Sequence, residues 1–309
     1  SGLRAAAPAA PIFTRTAFKS ARVALRKRFG QHLLKNADVV RRIVDSADVQ
    51  ADETVLEIGP GTGNMTVPLL EKASAVVAVE VDPAMHATVT ARVKQLGLDH
   101  KFYCYNGDFL RATLPPDLDV CVANIPYQIS SPVVRKLMAH RPALDRAIIM
   151  FQAEFADRMV AQPSTKQYCR LSVNMALQAR VKLVLDVDRY QFRPPPKVDS
   201  KVVEIRPNVD APHIHDFDEW DRMLKLCFSG KNKTFRALFS QSSTLANVAV
   251  ENVGPQAPDE ASADHADRIK ADVLGVLETA DMATCRANAT PLDQFIALYN
   301  AFKAAGVGF

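Results

Sequence analysis

Thr54-Val-Leu-Glu-Ile-Gly-Pro-Gly-Thr-Gly-Asn64 is the stretch whose reading decides the fold class. Thr54–Ile58 is an apolar run of strand length, and Thr66, Leu69 and Leu70 beyond the glycines have helical spacing, so the segment predicts strand, glycine turn and helix. Such a turn brings backbone N–H groups against a ligand at the crevice where open α/β sheets bind nucleotides. Its spacing departs from the dinucleotide pattern G-x-G-x-x-G. Counted from Gly59, the third glycine would fall at position 64, which is Asn64, so a nicotinamide cofactor loses its main support.

Working outward, Ala75–Glu80 is a second strand. It ends in an acid 21 residues after Gly59, where such a side chain accepts hydrogen bonds from both ribose hydroxyls of an adenosine. A third strand, Lys101–Tyr105, runs into Asn106-Gly-Asp108-Phe109, and Asp108 could accept from an adenine amino group. A fourth, Asp119–Ala123, runs into Asn124-Ile-Pro-Tyr-Gln-Ile-Ser130. An amide, a rigid Pro and an aromatic ring at a strand end are what a flipped-out adenine needs: acceptors for its amino hydrogens and a flat face to stack on. Each feature alone also fits an ordinary turn or cap. The order glycine turn, Glu80, Asp108, Asn124–Tyr127 at four successive strand ends selects the chemical reading. Further strands fall at 147–150, 181–185 and 201–205, the last two as an antiparallel edge hairpin. Between them Phe192-Arg-Pro-Pro-Pro196 reads as a rigid extended loop that presents Phe192 as a second stacking ring.

With these residues in place, the sequence closely resembles the ribosomal RNA adenine N6,N6-dimethyltransferase family. The matching motifs are Phe29-Gly-Gln-His-Leu-Leu34, Leu56–Gly63, Asn124–Pro132, Phe151-Gln-Ala-Glu-Phe155, Arg170-Leu-Ser172 and Phe192–Val198. Val122–Ser131 and Lys231-Asn-Lys-Thr234 look more like the eukaryotic branch, and Ala153 stands where the family commonly has Arg. The resemblance implies a Rossmann-like class I methyltransferase of the α/β class, with a mostly parallel sheet, an antiparallel edge hairpin and a smaller C-terminal helical domain. It implies S-adenosylmethionine as cofactor, held by Gln31, His32, Leu34, Gly59, Gly61, Gly63, Glu80, Val81, Asp108, Phe109 and Asn124. The catalytic set is then Asn124, Ile125, Pro126, Tyr127 and Phe192. The expected substrate is a pair of adjacent adenines in small-subunit ribosomal RNA, within a pre-ribosomal particle. Asn124 Oδ1 and the Ile125 carbonyl would orient the adenine amino group, and no general base is required. The rival readings are an RNA-binding assembly or mitochondrial transcription factor without catalysis, and a DNA adenine methyltransferase.

Length and composition set the frame. With 309 residues and 48% hydrophobic content the chain can bury one α/β core and a smaller one beside it. The expected division is a basic flexible arm at 1–28, a methyltransferase domain at 29–207 and a helical RNA-binding domain at 208–309. The arm holds seven basic residues and no acid, leaving 31 basic and 34 acidic residues in the rest. It suits phosphate contact or nuclear import, in keeping with a nucleolar location, and the alternative is a mitochondrial transit peptide. The chain starts Ser1-Gly2 without Met, so the natural amino terminus is expected upstream. Five cysteines without a Cys-x-x-Cys pair, two of them (Cys104 and Cys121) on strands expected to be buried, argue for a reduced compartment. No metal site is expected, His213 and His215 having no further ligands near them, and no membrane span. Asn36 is expected to cap a helix through Val39, Ile43 and Ala47. In the helical part, Lys231, Lys233 and Arg236 lie in a stretch without acids and read as a phosphate-contacting edge, while 251–266 reads as a mobile loop. The protein is expected to act as a monomer.

Overall fold

The computed structural model describes residues 32–140, 142–251 and 262–309, so the basic arm and Gln31 lie outside the described residues. The elements are β1 (Leu33–Leu34), α1 (Ala37–Ser46), β2 (Thr54–Ile58), α2 (Thr66–Lys72), β3 (Ala75–Glu80), α3 (Pro83–Gln95), β4 (Phe102–Asn106), β5 (Val120–Asn124), α4 (Ser130–Ala139), β6 (Arg146–Gln152), α5 (Ala153–Met159), α6 (Arg170–Gln178), β7 (Ala179–Val187), β8 (Phe192–Arg193) and β9 (Ser200–Pro207). After these come α7 (Phe217–Ser229), α8 (Phe235–Phe239), α9 (Ser242–Leu245), α10 (Ser262–Thr279) and α11 (Leu292–Ala304).

Seven strands form one sheet in the order β4-β3-β2-β5-β6-β9-β7. The first five run parallel, and β9 pairs antiparallel with both β6 and β7. The β7–β9 hairpin carries a bulge between Leu183 and Leu185. Strand side chains alternate between faces, so Leu56, Cys121 and Ala123 enter one core while Val55, Val120 and Val122 enter the other. Burial on both faces is why β2 and β5 read as continuous apolar runs. β4 departs from expectation. As the sheet's edge strand it leaves Tyr103 and Tyr105 exposed and Cys104 only half-buried, whereas Cys121 on β5 is fully buried.

Asn36 caps α1 as expected, its side chain accepting from the N–H groups of Asp38 and Val39. Just before it, β1 pairs antiparallel with β8, Leu33 opposite Arg193 and Leu34 opposite Phe192. In the sequence, Gln31–Leu34 reads as a loop leading into α1 and Phe192–Pro196 as an extended loop. Paired, they form a small second sheet over the carboxyl ends of the parallel strands.

A third core lies in the helical part, around Trp220, Phe235, Phe239, Phe295 and Phe302. It also takes in Val173 and Leu177 of α6, whose Met175 belongs to the sheet's core, so α6 serves both units. Trp220 Nε1 donates to Asn174 Oδ1 at 2.9 Å, and Asn174 Nδ2 donates to Asp221 at 2.7 Å, which fixes α7 against α6. Helix α10 begins at Ser262, inside the stretch expected to be a mobile loop; residues 252–261 lie outside the described residues. No helix among the described residues is long and apolar enough to cross a membrane.

Candidate active site

The carboxyl ends of β2, β3 and β5 open into a cavity of about 400 Å³ with a mainly apolar lining, a size suited to a small-molecule ligand. The glycine turn forms one wall. Gly63 shows why a side chain is excluded there: its φ is +82°, and a Cβ would lie 3.0 Å from the Val89 side chain. From the end of β3, Glu80 reaches under this turn. Its Oε2 accepts from the Gly61 N–H at 3.0 Å and its Oε1 from the Asp82 N–H at 2.9 Å. Burial raises its pKa, and the backbone donors pull it back. Each oxygen keeps a further lone pair for a ligand hydroxyl.

Asp108 and Phe109 follow β4 and form the next wall, with the half-exposed Val81 beside them. Asp108 Oδ1 accepts from the Leu110 N–H at 2.9 Å, so the carboxylate shapes its own turn. Lys136 of α4 secures that turn, donating to the carbonyls of Phe109 and Ala112 and lying 4.8 Å over the Phe109 ring.

Asn124 ends β5, half-buried, facing the cavity, and no hydrogen bond within the described residues engages its side chain. The next residues are Ile125, buried, then Pro126, then Tyr127 at the start of a short turn leading into α4. Tyr127 Oη lies 2.7 Å from Ser200 Oγ, which anchors the ring from β9; burial raises the pKa of the phenol, and the Ser200 bond opposes it. The His32 ring, which also lines the cavity, lies nearly parallel to the Tyr127 ring, 6.4 Å between centroids and 20° between planes, with its Nδ1 2.8 Å from the Pro194 carbonyl.

Two expectations need correction. Phe192 lines the cavity but is 1% exposed, packed in the sheet's core opposite Leu34, so it is part of the wall and not an open stacking ring. The basic stretch of the helical part meets one acid in three dimensions, at Arg236, and neutral acceptors at its two lysines. Lys231 Nζ donates to the Lys166 carbonyl at 2.9 Å, Lys233 Nζ to Gln241 Oε1 at 3.2 Å, and Arg236 pairs with Glu278 of α10. The partners of Lys231 and Arg236, 65 and 42 residues away, are invisible to a local charge pattern.

Sequence reasoning also passed over Ser200, Lys136 and Glu57. Glu57 is fully buried on β2, directly before the glycine turn, and neither carboxylate oxygen has a hydrogen-bond partner among the described residues. Burial pushes its pKa up to about 8, a rise the adjacent Thr66 hydroxyl moderates, so the group is mainly protonated at neutral pH. An acid inside an otherwise apolar strand was the available signal. No cluster of His, Cys, Asp and Glu suited to a metal ion occurs among the described residues.

The sequence model of the family described as ribosomal RNA adenine dimethylase matches residues 22–258. A dimethyladenosine transferase of Schizosaccharomyces pombe is 45% identical, covering 92% of each chain. A ribosomal RNA small subunit methyltransferase of Arabidopsis thaliana is 47% identical over 72% of this chain and 63% of its own. The crystal structure of a dimethyladenosine transferase from Plasmodium falciparum, 38% identical, covers 90% of this chain and 100% of its own with a TM-score of 0.78.

Proposed function

The chain belongs to the ribosomal RNA adenine dimethylase family, and from that premise we propose that it dimethylates two adjacent adenines of small-subunit ribosomal RNA within a pre-ribosomal particle. It is an S-adenosylmethionine-dependent ribosomal RNA adenine dimethyltransferase. The small-subunit assignment draws on the name of the Arabidopsis relative. The single observation that carries the site assignment is the Asn124 side chain, without a hydrogen-bond partner among the described residues, inside a cavity whose other walls are the glycine turn and Glu80.

The residues present fit the cofactor. Glu80 offers a buried carboxylate to the ribose, the turn from Gly59 to Gly63 offers backbone N–H groups, and His32, Leu34, Val81, Asp108 and Phe109 close the remaining walls. S-adenosylmethionine supplies a methyl group already activated on a sulfonium, so the protein's task is alignment. An adenine amino nitrogen is a poor nucleophile because its lone pair is delocalised into the ring. Asn124 Oδ1 with the Ile125 carbonyl accepts the amino hydrogens and draws the nitrogen toward tetrahedral geometry. Pro126 fixes the chain direction, and Tyr127 offers the stacking face, held in place by Ser200.

In the same reading the unit at 29–207 carries the chemistry, the helical unit at 208–309 orients the RNA, and the basic arm adds phosphate contacts, in a monomer working in the nucleolus. Mass mapping of methylated adenines in cytosolic and mitochondrial small-subunit RNA after depletion tests it. Loss of adjacent dimethyladenines from the cytosolic RNA alone is expected. Loss from mitochondrial RNA alone would move the protein to that compartment, and loss from neither would remove the substrate assignment.

A further inference from the structure

We infer that Asn64 is a positioning residue that ties the cofactor-binding turn to the β1 strand and so sets the width of the site. The inference rests on the S-adenosylmethionine reading of the cavity. Asn64 occupies the position where a dinucleotide-binding turn would have its third glycine, and its side chain fills the space in a directional way. Asn64 Nδ2 donates to the Leu34 carbonyl at 3.0 Å. Its Oδ1 accepts from Arg92 Nη1 of α3 at 2.9 Å, and the same guanidinium nitrogen donates to the Thr62 carbonyl of the turn at 2.8 Å. A carbonyl can only accept and a guanidinium can only donate, so this pair of neighbours requires one donor and one acceptor on the intervening side chain. A carboxamide of this length meets both needs, whereas a carboxylate meets only one.

The tie matters because β1 is just two residues long. Its backbone pairs with β8 on one side, and on the other it rests on the turn at two points: Leu33 Cδ2 lies 3.5 Å from where a Cβ of Gly61 would be, and Leu34 O meets Asn64. Immediately before it, His32 stacks against Tyr127, the ring assigned to the target base. Asn64 therefore stands between the cofactor's turn and the segment that carries His32 to the Tyr127 ring. Asn64 also lines the cavity, so weaker cofactor binding alone could come from its own edge, and it is the exchange at residues 32–36 that reports its influence through Leu33, Leu34 and His32.

The discriminating variant is Asn64→Asp, which keeps the size and the acceptor for Arg92 but sets a carboxylate oxygen against the Leu34 carbonyl. We compare it with Asn64→Ala and wild type by calorimetry with S-adenosylmethionine, by amide exchange of the peptide spanning residues 32–36 in cofactor-free protein, and by steady-state methylation. Both variants should bind the cofactor about 5–10-fold more weakly, the worth of one net hydrogen bond. Exchange at 32–36 should accelerate, and KM for the cofactor should rise far more than kcat falls. For Asn64→Asp this should occur with a melting temperature near wild type, because the Arg92 contact is retained. If Asn64→Asp binds cofactor like wild type and exchange at 32–36 is unchanged, the inference is overturned. If wild type itself fails to bind S-adenosylmethionine, it is the reading of the cavity that fails.

Discussion

The cavity and the Lys231–Arg236 stretch treat their polar groups in opposite ways. At the cavity, Glu80 and Asp108 are held by backbone N–H groups, but the Asn124 side chain faces open space and Glu57, buried beneath the turn, has neither oxygen hydrogen-bonded among the described residues. In the helical stretch the cations are matched from within the chain. Lys231 pins the Lys166–Tyr168 segment, Lys233 meets Gln241 and Arg236 meets Glu278. Unmatched, oriented polar groups are destabilising unless a ligand completes them, whereas matched ones stabilise the fold and leave less for a partner. The contrast distinguishes a site from a scaffold more sharply than residue type does.

If that contrast is right, the cavity region should carry the larger pH penalty. Below an ordinary carboxylate pKa of 4.5, Glu57 is protonated in folded and unfolded chains alike. As pH rises toward 8 the unfolded chain ionises while the buried group keeps its proton, so folding stability falls by up to about 1.4 kcal/mol per pH unit over that window. Glu57→Gln should flatten the profile between pH 5 and 8 in chemical denaturation at stepped pH; an unaltered slope would show that Glu57 is ionised in the native protein. Next in size, Glu80→Ala should weaken S-adenosylmethionine binding by about 1.5–3 kcal/mol, as expected for hydrogen bonds to a charged group. Calorimetry giving wild-type affinity in a folded variant would take Glu80 out of the site.

The other half of the comparison predicts smaller effects. Lys231→Met should lower stability by about 1 kcal/mol through the lost Lys166 contact, with no change in the salt dependence of RNA binding. A shallower salt slope with intact stability would restore Lys231 as a phosphate contact. Lys233→Ala should shift stability by less than about 0.5 kcal/mol, since its Gln241 contact is exposed. A larger loss in thermal denaturation would mean that the contact is structural.

What the sequence made legible follows the reach of each interaction. β2 and β5 are buried on both faces and appear as apolar runs, and the glycine turn and Asn124–Tyr127 are contiguous, so their chemistry is written within a few residues. Asn36 and its α1 partners are equally local. The β1–β8 pairing joins two-residue segments about 160 positions apart, with no periodicity to betray either, and that pairing is what buries Phe192. Glu278 lies 42 residues from Arg236, and the Lys166 carbonyl 65 from Lys231, so a window that finds no acid nearby mistakes a matched cation for a free one. Composition misled at 262–266, where Ala and Asp residues open the amphipathic helix α10. A polar stretch becomes helical when its apolar positions meet a core, as Val273 and Leu277 do here.

The central claim is that the Asn124 side chain orients the adenine amino group, and Asn124→Ala in single-turnover methylation of pre-ribosomal particles tests it most directly. With no hydrogen bond lost inside the described structure, the variant should fold and bind S-adenosylmethionine through the glycine turn and Glu80. Its methyl transfer should fall by at least about 100-fold, as for removal of one preorganised polar group from a transition-state site. Transfer at a near-normal rate in a variant that binds both cofactor and RNA would contradict the account.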